Sequence, residues 1–292
     1  MRPVNVIGVA GAGAWGVALA NAAAAAGRTV VLWGRDEARI SAIAATRRSD
    51  RLPGVDLARA VEATSDLAEL GRCDAILVAA PAQSSREIAL RLATAPGSAA
   101  LVSCAKGIER GTHAFMTEVL AEAAPDRPRA ILSGPSFAAD VATGLPTAVT
   151  LASSDEELAR ALCDALRGPA LRLYHSTDVR GVEIGGAAKN VLAIACGVAA
   201  GRGLGDLVLT CSSPQSRNFA FGLALGRGAS AAEAGAGGLA EGRFSALALT
   251  ELARERDVDM PIANCVQGLI EGSLDVKAAV SALLARPPKG EE

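Results

Sequence analysis

The chain has 292 residues, half of them hydrophobic, and a formal net charge of −2. A chain of this length and apolar content buries a sizeable core, which excludes a disordered protein and favours two domains. Its 29 basic and 31 acidic residues form no basic run, so no nucleic-acid partner is expected. The apolar segment at 20–26 is far shorter than the roughly 20 residues of a membrane span. The glycine turn directly after 4–9 argues against a signal peptide, so we expect a cytoplasmic protein without membrane insertion.

Short apolar runs alternate with longer amphipathic runs through the first part of the chain. This pattern is typical of a parallel sheet covered by helices. We predict strands at 4–9, 29–33, 74–79, 99–103, 130–132, 147–151 and 171–174. We predict helices at 15–26, 84–93, 114–123 and 155–166, the last with a capping signal and an acidic first turn at 153–156.

A glycine-rich turn follows the first predicted strand and leads directly into the first predicted helix. Gly11, Gly13 and Gly16 form a GxGxxG pattern in the strand, turn and helix context that binds a dinucleotide. Gly11 makes the tight turn, Gly13 lets the backbone approach a pyrophosphate, and Gly16 permits close packing of the helix on the strand. The pyrophosphate then binds the free amides at the helix N-terminus.

The residues after the second strand bear on the choice of dinucleotide. NAD-selective folds usually place an acid here to bind the ribose, whereas this chain has Gly34, then Arg35 and Asp36. Arg35 can bind a 2′-phosphate and Asp36 can favour NAD, so both NADP and NAD stay open. We favour NADP(H).

Strand signals stop near residue 180, beyond which helical periods are broken by glycine-rich joints at 201–205 and 235–238. We therefore predict an α/β fold in which a Rossmann-type doubly wound sheet over 1–180 binds the dinucleotide. An all-α substrate domain follows over 181–285, with a polar tail at 286–292. The six cysteines lack metal-ligand spacing, so we interpret them as core residues and expect no metal.

Three further segments are unlike packing sequence: 104–109, 133–138 and 185–190. The first two follow apolar strands, which places them at the carboxyl ends of the sheet, where doubly wound folds bind ligands. In the third, Lys189 is a charge in an apolar helical stretch whose small neighbours permit its burial, which suits acid–base work at a carbinol carbon. A polar turn carrying Arg217 and Asn218 at a predicted helix start can hold a phosphate dianion.

Together these motifs resemble a known family. The segments GAGAWG, SCAKGIE, SGPSFAADV, GAAKNVLAIACG, GDLVLTCSSPQSRN and AEGRFSA occur in this order and are similar to the motifs of bacterial NAD(P)-dependent glycerol-3-phosphate dehydrogenases. The resemblance covers nearly the whole chain, and the GPSFA and SRN segments are specific within dehydrogenases. It implies reversible hydride transfer between NADP or NAD and sn-glycerol 3-phosphate, giving dihydroxyacetone phosphate. In the biosynthetic direction this reaction supplies the backbone of glycerophospholipids.

The resemblance also implies roles for individual residues. Lys189 corresponds to the proton acceptor, and Lys106 to a residue that contacts both cofactor and substrate. With Asn190, Lys106 can stabilise negative charge developing on oxygen. The expected contacts to the phosphorylated substrate are Lys106, Gly134, Ser136, Lys189, Asn190, Asp206, Ser216, Arg217 and Asn218. The expected cofactor contacts are Gly11, Gly13, Ala14, Trp15, Gly16, Arg35, Lys106, Ala138, Arg217, Leu239 and Glu241.

The chain departs from the family pattern at 199–206, where it is joined as if cut between two similar Gly-Leu-Gly turns. A helix or two of the α-domain is therefore absent. Such a loss can expose apolar surface and invite a partner chain, so a homodimer is compatible with the sequence. A smaller departure is Arg243-Phe244 after Glu241-Gly242, where the family tends to keep smaller apolar residues.

Two other interpretations stay open. One is a different two-domain dehydrogenase of this fold, such as a β-hydroxyacid dehydrogenase, which also has a glycine-rich Lys-Asn helix; the SGPSFA and SRN segments argue against it. The other is a non-catalytic dinucleotide-binding member of the family, inactivated by the shortening, because a scaffold alone does not fix function. This second interpretation predicts cofactor binding without turnover.

Overall fold

The structure is a computed structural model that describes residues 3–169, 171–201, 216–236 and 238–284. The chain divides into two compact units. The first comprises Met1–Lys106 and Phe115–Ile184, and the second comprises Gly107–Ala114 and Gly185–Glu292. The segment 107–114 groups with the second unit although both its flanks belong to the first, which no pattern in the sequence indicates. The functional division at residue 180 stays a prediction.

The first unit is built on a sheet. Its strands are β1 Val6–Ala10, β2 Thr29–Trp33, β3 Val61–Thr64, β4 Ala75–Val78, β5 Ala100–Ser103, β6 Arg129–Ser133, β7 Thr147–Ala152 and β8 Leu171–Ser176. The described residues form one eight-stranded sheet with the order β3-β2-β1-β4-β5-β6-β7-β8. The order reverses between β1 and β4, so the carboxyl ends of these two strands form the switch point at which doubly wound sheets bind ligands.

Apolar side chains cover both faces of the central strands. Every residue of β4 and β5 is buried, which is the composition expected of parallel strands enclosed by helices. Along β2, Val30 and Leu32 join one buried cluster, whereas Val31 and Trp33 join another. Because successive side chains of a strand point to opposite faces, the two clusters lie on opposite sides of the sheet.

The helices of the first unit lie between these strands in sequence. They are α1 Ala14–Ala25, α2 Glu37–Thr46, α3 Ser85–Ala93, α4 Met116–Ala123, α5 Ala138–Ala142 and α6 Glu156–Leu166, with short 3-10 helices at Leu67–Arg72 and Ala82–Ser84. The Asp155 carboxylate caps α6 by accepting a hydrogen bond from the Leu158 amide at 3.0 Å. This cap lies within the predicted capping signal.

The structure corrects the sequence-based expectations in two places. The first is that β3, α2 and the five-residue α5 were not predicted. The apolar signals of β3 and α2 are weak, and α2 buries only Ile40 and Ile43. The second is that β7 pairs antiparallel with β6 in an otherwise parallel sheet. The connection between them contains only the five-residue α5, roughly 7.5 Å long, whereas a parallel return must run back along a strand of roughly 20 Å.

The second unit is helical. Helix α7, Val179–Gly201, begins in the first unit and continues into the second, and it is followed by α8 Arg217–Gly226, α9 Ala231–Gly235, α10 Gly242–Glu255, α11 Pro261–Glu271 and α12 Val276–Leu284. Within the described residues no strand follows β8, as predicted.

Helices α7 and α8 pack with their backbones in contact. A Cβ atom on Gly197 would lie 2.2 Å from the Phe219 carbonyl oxygen, and one on Gly222 would lie 2.0 Å from the Ile194 carbonyl oxygen. Both distances are far below van der Waals contact, so no side chain fits at either glycine. This pair of glycines therefore sets the approach of the two helices that carry Lys189 and Arg217.

Among the described residues, Val179–Val198 of α7 is long and apolar enough to cross a membrane by length and composition. Of its most apolar window, 44% is buried inside the protein. Core helices satisfy the same two criteria, so this segment is weak evidence for a membrane span.

Candidate active site

The glycine-rich turn lies at the carboxyl end of β1. Gly11 has a φ of +129°, and a Cβ atom there would lie 2.5 Å from the Ala79 carbonyl oxygen in the loop after β4. A Cβ atom on Gly16 would lie 1.7 Å from the Gly11 carbonyl oxygen. Glycine is therefore required at both positions, at Gly11 for the backbone conformation and at Gly16 for the close approach of α1 to the turn.

The N-terminus of α1 is open. Gly13 caps it without a side-chain hydrogen bond, no acidic residue lies in the first turn, and a Cβ atom on Gly13 would meet no atom within 4 Å. The amides of the first turn, including those of Ala14 and Trp15, have no acceptor within the helix. These amides and the positive end of the helix dipole suit a pyrophosphate, so the turn fits a dinucleotide.

Lys106, which follows β5, lies beside this turn. Its Nζ donates a hydrogen bond to the Gly134 carbonyl oxygen at 2.8 Å and lies 5.6 Å from the centre of the Trp15 ring. The Trp15 indole nitrogen is buried and has no hydrogen-bond partner within the described part of the chain. Because a buried indole N–H normally finds an acceptor, this donor is consistent with an acceptor supplied by a bound ligand.

The turn after β6 brings three of the predicted residues together. A Cβ atom on Gly134 would lie 2.9 Å from the Val149 Cα, so glycine is required where this turn passes β7. The Ser136 hydroxyl donates to the Gly134 carbonyl oxygen at 3.4 Å, and Ala138 begins α5. The Gly134 carbonyl oxygen thus links the turn to Lys106.

The end of β2 carries a glycine where NAD-selective folds place an acid. A Cβ atom on Gly34 would lie 2.6 Å from Ile40 Cδ1, so a larger side chain there would have to displace Ile40. The Asp36 carboxylate is used as the cap of α2, accepting from the Arg39 amide at 3.0 Å. Arg35 is exposed and makes no ion pair with any described residue.

In the second unit, an amide network joins α7, α8 and the start of α10. Asn218 Nδ2 donates to Asn190 Oδ1 at 2.8 Å, and the Gly242 amide donates to Asn218 Oδ1 at 2.9 Å. Asn190 is 7% exposed, whereas Lys189, the residue before it, is partly exposed. The sequence-based expectation that small neighbours permit burial of Lys189 is therefore met only in part.

The other predicted residues of the second unit lie at helix starts. The Ser216 hydroxyl caps α8 by accepting from the Phe219 amide at 3.3 Å, and Arg217 is the exposed first residue of that helix. Leu239, which is 40% exposed, lies shortly before α10, and Glu241 is the N-cap residue of that helix. Asp206 lies outside the described residues.

Sequence reasoning missed a buried carboxylate on α7. Glu183 is 4% exposed, and its Oε1 accepts from the Thr117 amide at 2.8 Å near the start of α4. Burial raises the pKa of the Glu183 carboxyl above its ordinary value, although the hydrogen bonds from Thr117 oppose the rise. The sequence gives no signal for Glu183, because an isolated glutamate in an amphipathic run is not part of any motif.

Three buried cysteines, Cys73, Cys104 and Cys163, are unsuited to nucleophilic chemistry. Burial raises the pKa of the Cys73 and Cys104 thiols to about 12 and that of Cys163 to about 11. Because the thiolate is the reactive form, these groups are inert at neutral pH. Cys196 and Cys265 are partly exposed and form no disulfide, and Cys211 lies outside the described residues.

Known protein families match the chain along most of its length. The N-terminal part of NAD-dependent glycerol-3-phosphate dehydrogenase matches residues 6–159, and its C-terminal part matches residues 178–205. The C-terminal part of bacterial NAD-dependent glycerol-3-phosphate dehydrogenase matches residues 202–266. The two C-terminal matches meet at 202–205, inside the joint where the sequence indicates a missing segment.

Relatives named glycerol-3-phosphate dehydrogenase (NAD(P)+) align over the full length of both chains. One from Bradyrhizobium sp. (strain BTAi1) is 53% identical over 330 positions, and one from Rhodopseudomonas palustris (strain BisA53) is 50% identical over 328 positions, each covering 100% of both chains. Because these alignments are longer than the 292 residues of this chain, the relatives carry residues that it lacks. The shortening inferred from the sequence is therefore real.

A solved structure agrees with both fold and family. The crystal structure of glycerol-3-phosphate dehydrogenase from Coxiella burnetii superposes with a TM-score of 0.89 at 32% identity and covers 97% of this chain and 99% of its own. These similarities favour this family over β-hydroxyacid dehydrogenases. The match to residues 6–159 alone spans more than half of the chain. The chain therefore belongs to the NAD-dependent glycerol-3-phosphate dehydrogenase family.

Proposed function

We propose that the chain catalyses reversible hydride transfer between NAD(P)(H) and sn-glycerol 3-phosphate or dihydroxyacetone phosphate. In the reductive direction it supplies glycerol 3-phosphate for glycerophospholipid synthesis. The observation that carries this proposal is the full-length likeness to relatives of that name at 53% and 50% identity. Its substrate is accordingly a phosphorylated small molecule.

The first unit holds the dinucleotide. The open amides at the start of α1 bind the pyrophosphate, and the unpartnered indole N–H of Trp15 donates to the cofactor. A bound nicotinamide would supply the hydride acceptor for oxidation at C2 of the alcohol and the hydride donor for reduction of the ketone. We assign further cofactor contacts to Gly11, Gly13, Ala14, Gly16, Arg35, Lys106, Ala138, Arg217, Leu239 and Glu241.

Lys189 takes the hydroxyl proton of the alcohol during oxidation and returns it during reduction. Lys189 lies on α7 next to the buried Asn190. Asn190 is held by Asn218 and stabilises negative charge developing on the substrate oxygen, as does the Lys106 ammonium. Gly134 and Ser136 provide further substrate contacts beside Lys106.

The phosphate group of the substrate binds at the start of α8. Arg217 is exposed there and offers a planar guanidinium, and the amides of the first turn add donors. Ser216 and Asn218 flank Arg217 in sequence, and Asp206 completes the proposed set.

NADP(H) is the favoured cofactor. Gly34 cannot carry a ribose-binding acid without displacing Ile40, and Asp36 is occupied as the cap of α2. Arg35 is exposed beside them and can bind a 2′-phosphate. Arg35→Ala should reduce kcat/KM for NADPH by about tenfold or more and leave that for NADH nearly unchanged. An equal change for both cofactors would show that Arg35 does not contact the 2′-phosphate.

Three further proposals concern organisation. We propose that residues 1–180 bind the dinucleotide and that residues 181–285 bind the substrate. We propose a cytoplasmic protein without membrane insertion, in which the polar and charged residues of α7 serve the active site. A homodimer is the proposed oligomeric state.

The direct test is the initial rate of NADPH and NADH oxidation with dihydroxyacetone phosphate, together with a titration of each cofactor. Wild-type protein should turn over, and Lys189→Ala should abolish turnover while retaining cofactor binding. Lys277→Ala, on α12, is a matched control for loss of a lysine and should keep the wild-type rate. Normal turnover by Lys189→Ala would refute the assigned base.

The shortened chain supports one second candidate, a dinucleotide-binding protein without catalysis. Its relatives align over 330 and 328 positions, so residues present in these relatives are missing here. This candidate predicts that NADPH binds while dihydroxyacetone phosphate is not reduced. Turnover by the wild-type protein excludes it.

A further inference from the structure

A cavity of about 150 Å³ lies within the second unit, apart from the residues assigned to catalysis. Helix α10 contributes Arg243, Phe244 and Leu247, helix α11 contributes Ile270, and the segment 107–114 contributes Arg110. Since one water takes about 30 Å³ of liquid volume, the cavity is comparable with about five waters, and a phosphate ion has five non-hydrogen atoms. An inorganic oxyanion is therefore of a suitable size.

Arg243 is held in place without a carboxylate partner among the described residues. Its guanidinium lies 5.3 Å from the centre of the Phe221 ring, and a Cβ atom on Gly235 would lie 2.5 Å from its Nη1. Its Nε is buried and has no hydrogen-bond acceptor in the described part of the chain. A buried guanidinium N–H without an acceptor is costly, which favours an acceptor that comes from outside the chain.

Arg110 supplies a second cation to the same cavity. Its guanidinium lies 5.0 Å from the centre of the Phe244 ring, which limits its freedom although the side chain is exposed. Glu271 also lines the cavity, where its Oε1 accepts a hydrogen bond from Gln267 Nε2 at 2.8 Å. Two guanidinium groups and one carboxylate leave the lining with an excess of positive charge, which favours an anion over a cation.

We propose that this cavity is a binding site for a small oxyanion, a phosphate or carboxylate group, bound by the guanidinium groups of Arg243 and Arg110. Guanidinium N–H groups match the geometry of both oxyanions and form charge-assisted hydrogen bonds with them. The partly buried apolar side chains of Leu247 and Ile270 line the cavity beside these groups.

The test separates this site from the phosphate site proposed at Arg217. Inorganic phosphate and, separately, acetate are titrated calorimetrically into full-length Arg217→Ala protein, which removes the other phosphate ligand. Phosphate binding that persists in this variant should weaken by at least about tenfold when Arg243→Leu is added, because charge-assisted hydrogen bonds are lost. Arg254→Leu, on the same helix but outside the cavity, is the matched control and should leave binding unchanged.

Arg110→Gln provides an independent variant, because an exposed side chain is replaced and folding is preserved. It should also weaken anion binding in the Arg217→Ala background, and thermal melting verifies that each variant is folded. Tighter binding of phosphate than of acetate identifies a phosphate site, and the reverse order identifies a carboxylate site. Absence of binding for both anions in Arg217→Ala protein, or equal binding by the Arg243→Leu, Arg110→Gln and control variants, overturns the proposal.

Discussion

Asn218 joins three helices of the second unit, so its replacement tests whether the amide network positions Asn190. Asn218→Ala removes two hydrogen bonds, one to Asn190 Oδ1 at 2.8 Å and one from the Gly242 amide at 2.9 Å. At about 0.5–1.5 kcal/mol for each, the loss lowers the free energy of unfolding by about 1–3 kcal/mol. Both partners are buried, which places the expected value in the upper half of that range.

The assay combines urea unfolding with steady-state reduction of dihydroxyacetone phosphate. Asn218→Asp keeps an acceptor for the Gly242 amide but turns a second oxygen towards Asn190 Oδ1. Asn218→Asp should therefore reduce kcat strongly even where its loss of unfolding free energy is small, because the Asn190 amide is no longer held in one orientation.

A double-mutant cycle distinguishes positioning from an independent substrate contact. If Asn218 acts through Asn190, then Asn218→Ala should change kcat little once Asn190 is already alanine, and the coupling between the two sites should be about 1 kcal/mol. Additive effects of the two substitutions on kcat would refute the positioning role.

Three further outcomes follow from packing and burial. Gly222→Ala should lower the free energy of unfolding by about 1–3 kcal/mol or more, because its Cβ would lie 2.0 Å from the Ile194 carbonyl oxygen. In the same urea unfolding assay, Gly185→Ala should raise the free energy of unfolding by about 0.5–1 kcal/mol, because nothing lies near a Cβ atom at this helical glycine. Burial raises the pKa of Glu183 in the folded state, so its contribution to the free energy of unfolding is full below its ordinary pKa and is lost as pH rises through the folded-state pKa. In unfolding experiments above pH 4.5, Glu183→Gln should abolish this pH dependence of the free energy of unfolding. Arg127 Nη2 donates hydrogen bonds at 2.9 Å to the carbonyl oxygens of Leu92 and Ala95 near the end of α3. Arg127→Met should therefore lower the melting temperature by leaving these oxygens without a donor, and an unchanged melting temperature would mean that water replaces the guanidinium.

Local patterns predicted most of the sheet because its strands are buried on both faces. Continuous apolar runs such as β4 and β5 contrast with the helices around them, so their positions were expected to within one or two residues. β3 has only one buried residue, Val61, and therefore gave no signal. The antiparallel pairing of β7 was also missed, because the apolar pattern of a strand carries no information on the direction of its neighbour.

The candidate site was predicted as separate motifs and not as contacts. The GxGxxG pattern identifies Gly11 and Gly16 because their conformational requirements are local to one turn. The interaction of Lys106 with Gly134 and Trp15 joins residues after β5 and β6 to the first turn of α1, and no spacing in the sequence encodes it. For the same reason the buried indole N–H of Trp15 became visible only in three dimensions.

The shortened joint bears on catalysis through the helices that it connects. Asn190 and Asn218 are only 28 residues apart in sequence, and the length of the joint could have kept them apart. Their helices instead meet at Gly197 and Gly222, where an added Cβ atom would lie 2.2 Å and 2.0 Å from a carbonyl oxygen of the opposing helix. The hydrogen bond from Asn218 to Asn190 joins the same two helices. Among the described residues, α7 and α8 thus contact each other in the shortened chain, which supports the proposed enzyme over the non-catalytic alternative.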